Sequence, residues 1–487
     1  MLFNSYVFIL LFLPVALIGY FGLNYWGKDK AAKAFLVAMS LWFYAYFEPK
    51  YLFIILGSIG INYVISGWTS NRHRTVSFRK IMLVLGILLN VATIFYFKYF
   101  NFFLENINWI FGAGFVEKNI LMPLGISFFT FQQISYLVDA YKGETKSYTF
   151  LDYALFVSFF PQLVAGPIVL HNEMIPQFNE AKRKRINQDL FSRGIWIFAI
   201  GLFKKVMIAD NLGKAADFGF GNVESIVGVN AWVVMLCYTL QLYFDFSGYC
   251  DMAIGVANMF HMELPVNFDS PYKALSITEF WKRWHMTLTR FLRKYVYFPL
   301  GGSRKGYGRT LLNIMIVYLI SGIWHGAQWT FVLWGLCHGA LRVVEKICWP
   351  VLERVPKILR WVSTFLLVNF TWVLFRAETV SDAICFYRNM WNGWNLGIQA
   401  ELLAQFELLE FTYVVEHVGI LFSFVNDCPW IYMAIVLLGT SILAFIPKNC
   451  HEKVFVPTIG RAVGCILLLV WSVMSFSGIS TFLYFNF

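Results

Sequence analysis

Long runs of residues without a charged side chain constrain the fold of this 487-residue chain more than any other feature. A helix that crosses the hydrocarbon core of a bilayer needs about 20 such residues, because lipid offers the backbone no hydrogen-bond partners. The clearest runs are Tyr6–Leu23, Tyr51–Trp68, Ile81–Phe97, Ile226–Phe244, Trp430–Pro447 and Val463–Phe482. The sequence therefore predicts an all-α polytopic membrane protein with about ten to thirteen transmembrane and re-entrant helices.

The composition supports this class. Charged residues make up 14% of the chain, against about 25% in soluble domains. The net charge of +11 is attributed to basic residues held on the cytoplasmic side, so we expect membrane lipids and no nucleic acid as partners. The eight cysteines show no paired spacing, which predicts neither a disulfide framework nor a metal site.

The basic clusters predict the topology, because Lys and Arg concentrate in cytoplasmic loops. Lys28–Lys33 and Arg72–Lys80 place the N terminus outside the cytoplasm, and the final run places the C terminus there too. If both Leu121–Tyr141 and Tyr153–Leu170 crossed the membrane, the basic cluster Lys182–Arg185 would lie outside the cytoplasm. We therefore expect one of these two runs to dip into the membrane and return. We interpret residues 1–487 as one domain, with a basic cytoplasmic-side segment at 258–307 and an acidic extracytoplasmic segment at 378–427.

Within the basic segment, Ser276 and Glu279 have the spacing of a capping box. Apolar residues then recur at three- and four-residue steps as far as Tyr295, which predicts one amphipathic helix with His285 on its apolar face. Its basic residues are either cytoplasmic flanks or contacts for the phosphates of a nucleotide-bearing donor. These residues are Lys282, Arg283, Arg290 and Arg293.

The stretch "SGIWHGAQW" places His325 at the end of the short apolar run Leu311–Trp324. Fourteen residues penetrate about 21 Å, so His325 would lie deep in a hydrocarbon core about 30 Å thick. An ionisable residue at that depth predicts a functional site. We expect Gly322 and Gly326 to leave space beside it, and the next run to return as a hairpin. His338, on another helical face, is interpreted as a packing residue.

Two carboxylates, Asp245 and Asp251, follow another apolar run. Such groups can relay protons, cap broken helices or orient a histidine. Six residues apart, they do not share a helical face, which favours structural support or histidine orientation. A proton-coupled transporter that uses these residues and the histidines is the alternative of a different class.

Five ordered blocks resemble the membrane-bound O-acyltransferase family, and in particular its bacterial cell-envelope branch, which includes the membrane subunit of alginate O-acetylation. They are "PLGISFFTFQQISYLVDAYKG" from Pro123, "GLFKKVMIADNL" from Gly201, "FDFSGYCDMAIG" from Phe244, "FWKRWHMTLTRFLRKYVYFPLGG" from Phe280 and "GIWHGAQWTFVLWGLCHG" from Gly322. The likeness implies a membrane-spanning tunnel between a cytoplasmic thioester donor and an outer acceptor.

By the same resemblance, His325 and His285 are the catalytic residues, with Trp324 as a possible support. A neutral imidazole can act as general base for an acceptor hydroxyl. The tail "STFLYFNF" is similar to that of related envelope systems, in which a tyrosine is implicated in carrying the acyl group, so Tyr484 is a candidate relay. An interfacial aromatic belt is the other interpretation of this tail.

The resemblance thus implies an O-acetyltransferase of the inner or plasma membrane, acting on an extracytoplasmic polysaccharide. Acetyl-CoA or another acetyl thioester would be its donor substrate, with no tightly bound cofactor and no metal. The expected partner is the acceptor polymer or an extracytoplasmic polysaccharide acetyltransferase. Transfer of D-alanine to a teichoic acid remains a further alternative.

Overall fold

The structure is a computed structural model that describes residues 1–146, 148–394, 397–407, 428–447, 449–451, 455–476 and 482–483. Every regular element in these residues is helical. The chain divides into two compact units, each assembled from segments that are distant in sequence. Tyr484, the candidate relay, and residues 408–427 of the predicted extracytoplasmic segment lie outside the described residues.

The first unit comprises residues 1–202, 249–266 and 455–487. Its helices lie mainly in the N-terminal part of the chain. They are Val7–Tyr25, Asp29–Ala45, Tyr51–Ser70, Val76–Phe111, Ile126–Lys142, Phe150–Ser158, Phe160–Leu163, His171–Asn179, Ala181–Lys184, Gln188–Phe203 and Ile459–Met474.

The second unit comprises residues 203–248 and 267–454 and holds both predicted catalytic histidines. The long Val229–Met259 helix begins in this unit and ends in the first. The other helices are Lys204–Ala209, Asp210–Gly221, Pro271–Lys273, Ile277–Arg283, Met286–Leu292, Arg293–Tyr297, Tyr307–His325, Trp329–Leu352, Lys357–Arg376, Val380–Asn389, Ala400–Ala404 and Pro429–Phe445.

Five helices among the described residues are long and apolar enough to cross a bilayer. They are Val7–Tyr25, Tyr51–Ser70, Val76–Phe111, Tyr307–His325 and Lys357–Arg376. Each of the six uncharged runs in the sequence coincides with or overlaps a helix, which confirms the all-α polytopic fold. The total number of crossings and the tunnel stay predictions.

Of the two runs from which one was predicted to dip into the membrane and return, Tyr153–Leu170 is interrupted. The Phe150–Ser158 helix ends before a single turn, Phe160–Leu163, that contains Pro161. Residues 164–170 are not helical. The neighbouring helix Ile126–Lys142 is continuous and starts after Gly125, whose φ of +70° suits a residue without Cβ. Of the two runs, Tyr153–Leu170 therefore has the form of a broken helix.

Helices Tyr307–His325 and Trp329–Leu352 form an antiparallel pair, here named the histidine hairpin. Its first helix has 19 residues instead of the expected fourteen, because Tyr307–Thr310 precede the apolar run and His325 follows it within the same helix. A helix of this length spans about 28 Å. His325 therefore lies at the far end of a helix that almost matches the thickness of a hydrocarbon core.

Two glycines allow the backbones of the hairpin to touch. A Cβ at Gly322 would lie 2.4 Å from the carbonyl oxygen of Phe331, and one at Gly335 would lie 2.5 Å from that of Tyr318. A Cβ at Gly326 would lie 2.1 Å from the Phe331 ring. The expectation that these glycines leave open space beside His325 is therefore wrong, because the second helix fills that space.

Candidate active site

His325 ends the first helix of the hairpin and is 4% exposed. Aromatic rings surround it: their centroids lie 4.9 Å (Trp324), 5.1 Å (Trp334) and 5.1 Å (Phe375) from that of the imidazole. Phe375 belongs to helix Lys357–Arg376, so three helices of the unit contribute to this site. Packing on several sides fixes the orientation of the ring, which a positioned base requires.

The structure brings the two predicted catalytic histidines together, although 40 residues separate them in the chain. The ring centroids of His285 and His325 are 6.5 Å apart. Trp324 lies beside both, 4.9 Å from His325 and 6.1 Å from His285, as expected of a supporting residue. Phe246 packs edge-on against His285 with the centroids 4.8 Å apart.

His285 occupies a break between two short helices, Ile277–Arg283 and Met286–Leu292. The prediction of one continuous amphipathic helix is therefore wrong at this point. Backbone groups from a preceding segment bond to the freed groups of the break: Asp269 N–H donates to the carbonyl of Arg283, and Met286 N–H donates to that of Asn267. The capping prediction is confirmed in part.

In that cap, the hydroxyl of Ser276 accepts from Glu279 N–H at 3.1 Å. The carboxylate of Glu279 accepts from Leu275 N–H at 2.9 Å instead of from Ser276 N–H. The helix therefore begins where the sequence predicts.

His285 is completely buried, and burial lowers the pKa of its imidazole to about 3. The ring is therefore neutral near pH 7. Its Nδ1 lies 3.1 Å from the side-chain oxygen of Asn267. The backbone at His285 is left-handed, with φ +43° and ψ +52°, a conformation that non-glycine residues seldom adopt.

Asp245 takes part in a buried ion pair. Its carboxylate accepts from Lys205 Nζ at 2.7 Å, and both side chains are 2% exposed. Asp210 accepts from the same ammonium at 2.7 Å. Because Asp245 directly precedes Phe246, this ion pair anchors the helix segment that packs on His285, which agrees with a supporting role. Asp251 is also buried but belongs to the first unit.

His338 has a different environment from the two site histidines. Trp281 Nε1–H donates to its Nδ1 at 3.2 Å, and its Nε2 lies 2.9 Å from the hydroxyl of Thr371. That hydroxyl donates to the carbonyl of Val368 at 2.7 Å. Both ring nitrogens are thus bonded within the fold, which agrees with the interpretation of His338 as a packing residue.

A cavity of about 520 Å³ lies along the hairpin. It extends from Ser321, one helical turn before His325, to the basic residues Arg293, Arg342 and Lys346. Ser321 is 1% exposed, and its hydroxyl has no hydrogen-bond partner within the described part of the chain. The cavity is therefore lined by a buried hydroxyl near the histidines and by charged residues farther along the hairpin, where Glu345 also lines it and pairs with Arg342 at 2.9 Å.

The four basic residues expected near donor phosphates are distributed differently. Arg293 lines the cavity along the hairpin, whereas Lys282 and Arg283 line a second one of about 630 Å³. Arg283 is paired with Glu279 at 3.0 Å and with Asp269 at 3.2 Å. Arg290, half-buried, lines neither cavity.

Two residues that shape the site, Asn267 and Lys205, were not predicted from the sequence. The sequence did indicate a role for Lys205: it lies in the apolar block "GLFKKVMIADNL", and a lysine buried in such a block needs an acidic partner. For Asn267 there was no such indication, since an asparagine before "FDSP" resembles an ordinary turn residue.

The chain is similar to known proteins along its whole length. The family model of the membrane-bound O-acyltransferases matches residues 82–380, which include both site histidines. A peptidoglycan O-acetyltransferase of Helicobacter pylori is 41% identical over 100% of this chain and 98% of its own length. A probable alginate O-acetylase of Azotobacter vinelandii is 37% identical over 100% of both chains.

A more distant relative carries a different acyl group in its name. A teichoic acid D-alanyltransferase of Bacillus subtilis is 28% identical over 53% of this chain and 70% of its own length. Full-length similarity is thus found with enzymes named for O-acetyl transfer.

Proposed function

The chain belongs to the membrane-bound O-acyltransferase family, and from that premise we propose that it transfers acetyl groups from a thioester donor to a cell-envelope polysaccharide. The two relatives with full-length similarity are named for peptidoglycan and for alginate. Both names describe O-acetylation of an envelope or extracellular polymer of sugars. An acceptor of this class has hydroxyl groups, which need a base before they attack a thioester.

The observation that carries the proposal is the pair of buried histidines, His325 and His285, between aromatic walls. His325 takes the proton of the acceptor hydroxyl, whose oxygen attacks the thioester carbonyl. A new C–O bond forms, the C–S bond breaks, and the proton passes to the departing thiolate. His285 either orients the reacting groups or stabilises the charge that develops.

The cavity along the hairpin supports the position of the donor. Its volume of about 520 Å³ is in the range of small-molecule sites. Arg293 and Lys346 at one end, beside the Arg342–Glu345 ion pair, suit the phosphates of a nucleotide thioester such as acetyl-CoA. The buried hydroxyl of Ser321 at the other end suits an amide or carbonyl of the acyl-bearing arm.

Further parts of the proposal concern topology and relay. The basic clusters support a cytoplasmic donor, extracytoplasmic termini and a location in the inner or plasma membrane. Tyr484 would accept the acetyl group and pass it to the polymer or to an extracytoplasmic partner transferase. Trapping an ester on Tyr484 during turnover, followed by intact-mass analysis, tests the relay, and turnover without any such ester contradicts it.

The central experiment measures alkali-released acetate in cells that carry wild type, a deletion or His325→Ala at matched membrane abundance. Peptidoglycan and surface polysaccharide are purified separately, so the sample that loses acetate identifies the acceptor. We expect both variants to lose it. Retention by His325→Ala contradicts the catalytic assignment.

A deletion that leaves acetate unchanged in both fractions contradicts the proposal as a whole. Loss of ester-linked D-alanine instead would assign the activity of the more distant relative. Solute uptake without thioester cleavage by the purified protein would indicate a transporter.

A further inference from the structure

The hydrogen bonds around His285 converge on one side chain outside the motif that contains it. The Asn267 side-chain oxygen lies 3.1 Å from His285 Nδ1 and accepts from the backbone N–H of Thr287 at 3.2 Å. The Thr287 hydroxyl donates to the same oxygen at 2.9 Å. Asn267 is 1% exposed, so these contacts are shielded from water.

The backbone N–H of Thr287 determines which atom of the amide faces His285. A backbone N–H can only donate, so the atom that it contacts must be the carbonyl oxygen of Asn267 and not the NH₂ group. That oxygen can only accept. The Nδ1 of His285 must therefore be the donor in its contact with Asn267.

The protonation state of the ring then follows. A neutral imidazole has one N–H, and burial lowers the pKa of His285 to about 3, so the ring is neutral near pH 7. With hydrogen on Nδ1, the lone pair is on Nε2. His285 in this state can accept a hydrogen bond or a proton through Nε2 but cannot donate one through it.

We propose that Asn267 is a positioning residue that fixes His285 as the Nδ1–H tautomer and makes Nε2 its basic atom. The inference rests on the proposed acyl transfer and separates the two roles left open for His285. An acceptor atom orients a hydroxyl or an N–H of the reacting groups. It cannot donate to the negative oxygen that develops on the thioester carbonyl.

Asn267 also holds the backbone of the break. The left-handed conformation of His285 is strained in a residue that carries a side chain. The carbonyl of Asn267 accepts from Met286 N–H at 3.0 Å, directly after the strained residue. One residue therefore sets both the course of the chain and the tautomer of the ring.

The substitution Asn267→Asp tests the inference because it keeps an accepting oxygen and adds a negative charge. A carboxylate next to Nδ1–H raises the pKa of His285, so the ring becomes protonated at a higher pH. We expect the acid limb of thioester turnover to shift upward by about 1–3 pH units. The rings packed on His285 are those of Phe246, Phe268, Trp324 and His325, and of these four the imidazole of His325 is the ionisable one.

Asn369→Asp is the matched control. Asn369 is also 1% exposed and in the same unit, and its oxygen accepts from the hydroxyl of Thr239. We expect this variant to keep the wild-type pH profile even if its thermal stability is lower. An unshifted profile in folded Asn267→Asp overturns the inference.

A second measurement does not depend on activity. In protein labelled with ¹⁵N-histidine, the signals lost in His285→Asn identify the ring of His285. We expect the shifts of a protonated Nδ1 and an unprotonated Nε2 in wild type. The opposite tautomer overturns the inference. Because this measurement is made on wild type, it applies even if Asn267→Asp does not fold. If the tautomer is as expected while wild type transfers no acyl group, the proposed function fails instead.

Discussion

The surroundings of His285 and His338 differ although both rings are completely buried. An indole N–H, that of Trp281, donates to Nδ1 of His338, so the proton of this ring is on Nε2 and is donated to Thr371. An amide oxygen, that of Asn267, accepts from Nδ1 of His285, so its proton is on Nδ1. The neighbours thus fix opposite tautomers.

Burial therefore does not distinguish a packing histidine from a candidate catalytic histidine. Both nitrogens of His338 are bonded inside the fold, so neither can act on a substrate. His285, by contrast, adopts a strained backbone conformation and lies beside His325. Strain of this kind persists only where surrounding structure enforces it.

The same substitution at His325 and at His338 should have the most different consequences. We expect His325→Gln to lower turnover by about 10²–10⁴-fold, because general base catalysis contributes that much. His338→Gln keeps an acceptor and a donor and should retain turnover per folded molecule. Thioester consumption by purified protein at matched folded concentration measures both, and similar losses would remove the distinction.

His285→Asn is expected to have the next largest effect. Asparagine tolerates the left-handed backbone better than most residues, so the break should remain while the imidazole is lost. We expect turnover to fall by about 10–100-fold with little change in the unfolding temperature. Turnover near that of wild type would mean that His285, like His338, is a packing residue.

A third prediction concerns the bonds of His338. Thr371→Val removes the acceptor of its Nε2–H and should lower the free energy of unfolding by about 1–3 kcal/mol. Thr364→Val, at a buried position two turns earlier on the same helix, is the control. Denaturant or thermal unfolding checks the difference, and a specific loss of turnover in Thr371→Val would place His338 in the active site.

The smallest expected effect concerns two buried hydroxyl groups, those of Thr371 and Ser321. The hydroxyl of Thr371 is used within the fold, whereas that of Ser321 faces the cavity without a partner among the described residues. Ser321→Val should raise KM for the thioester about fivefold, as expected for one hydrogen bond of about 1 kcal/mol, and leave kcat unchanged. An equal KM in both proteins would exclude this hydroxyl from donor binding.

The sequence was sufficient for features that depend on local pattern. Uncharged runs marked the helices, and Ser276 marked a helix start. The length of the Tyr307–His325 helix was underestimated, because the apolar run was counted only from the residues after Arg309. The helix begins before this arginine, since a charged side chain is tolerated near a helix end.

Features that depend on distant partners could not be predicted. The break at His285 exists because Asn267 and Asp269 supply hydrogen bonds across it, and no local propensity signals such pairing. The partner of Asp245 is likewise 40 residues earlier, at Lys205. Periodicity alone therefore favoured a continuous helix that tertiary contacts divide.

The backbone contact between Gly322 and Gly335 also bears on how such an enzyme could be re-engineered. Because the helices touch there without intervening side chains, a larger residue at either glycine would push the two helices apart and shift His325, and a displacement of about 1 Å can reduce the rate about a hundredfold. The two glycines at the helix crossing should therefore be kept. Changes in acyl-group preference are better sought at residues that line the cavity farther from His325, such as Ile314 and Val317, than at the rings of Phe375 and Phe246, which pack on the two histidines.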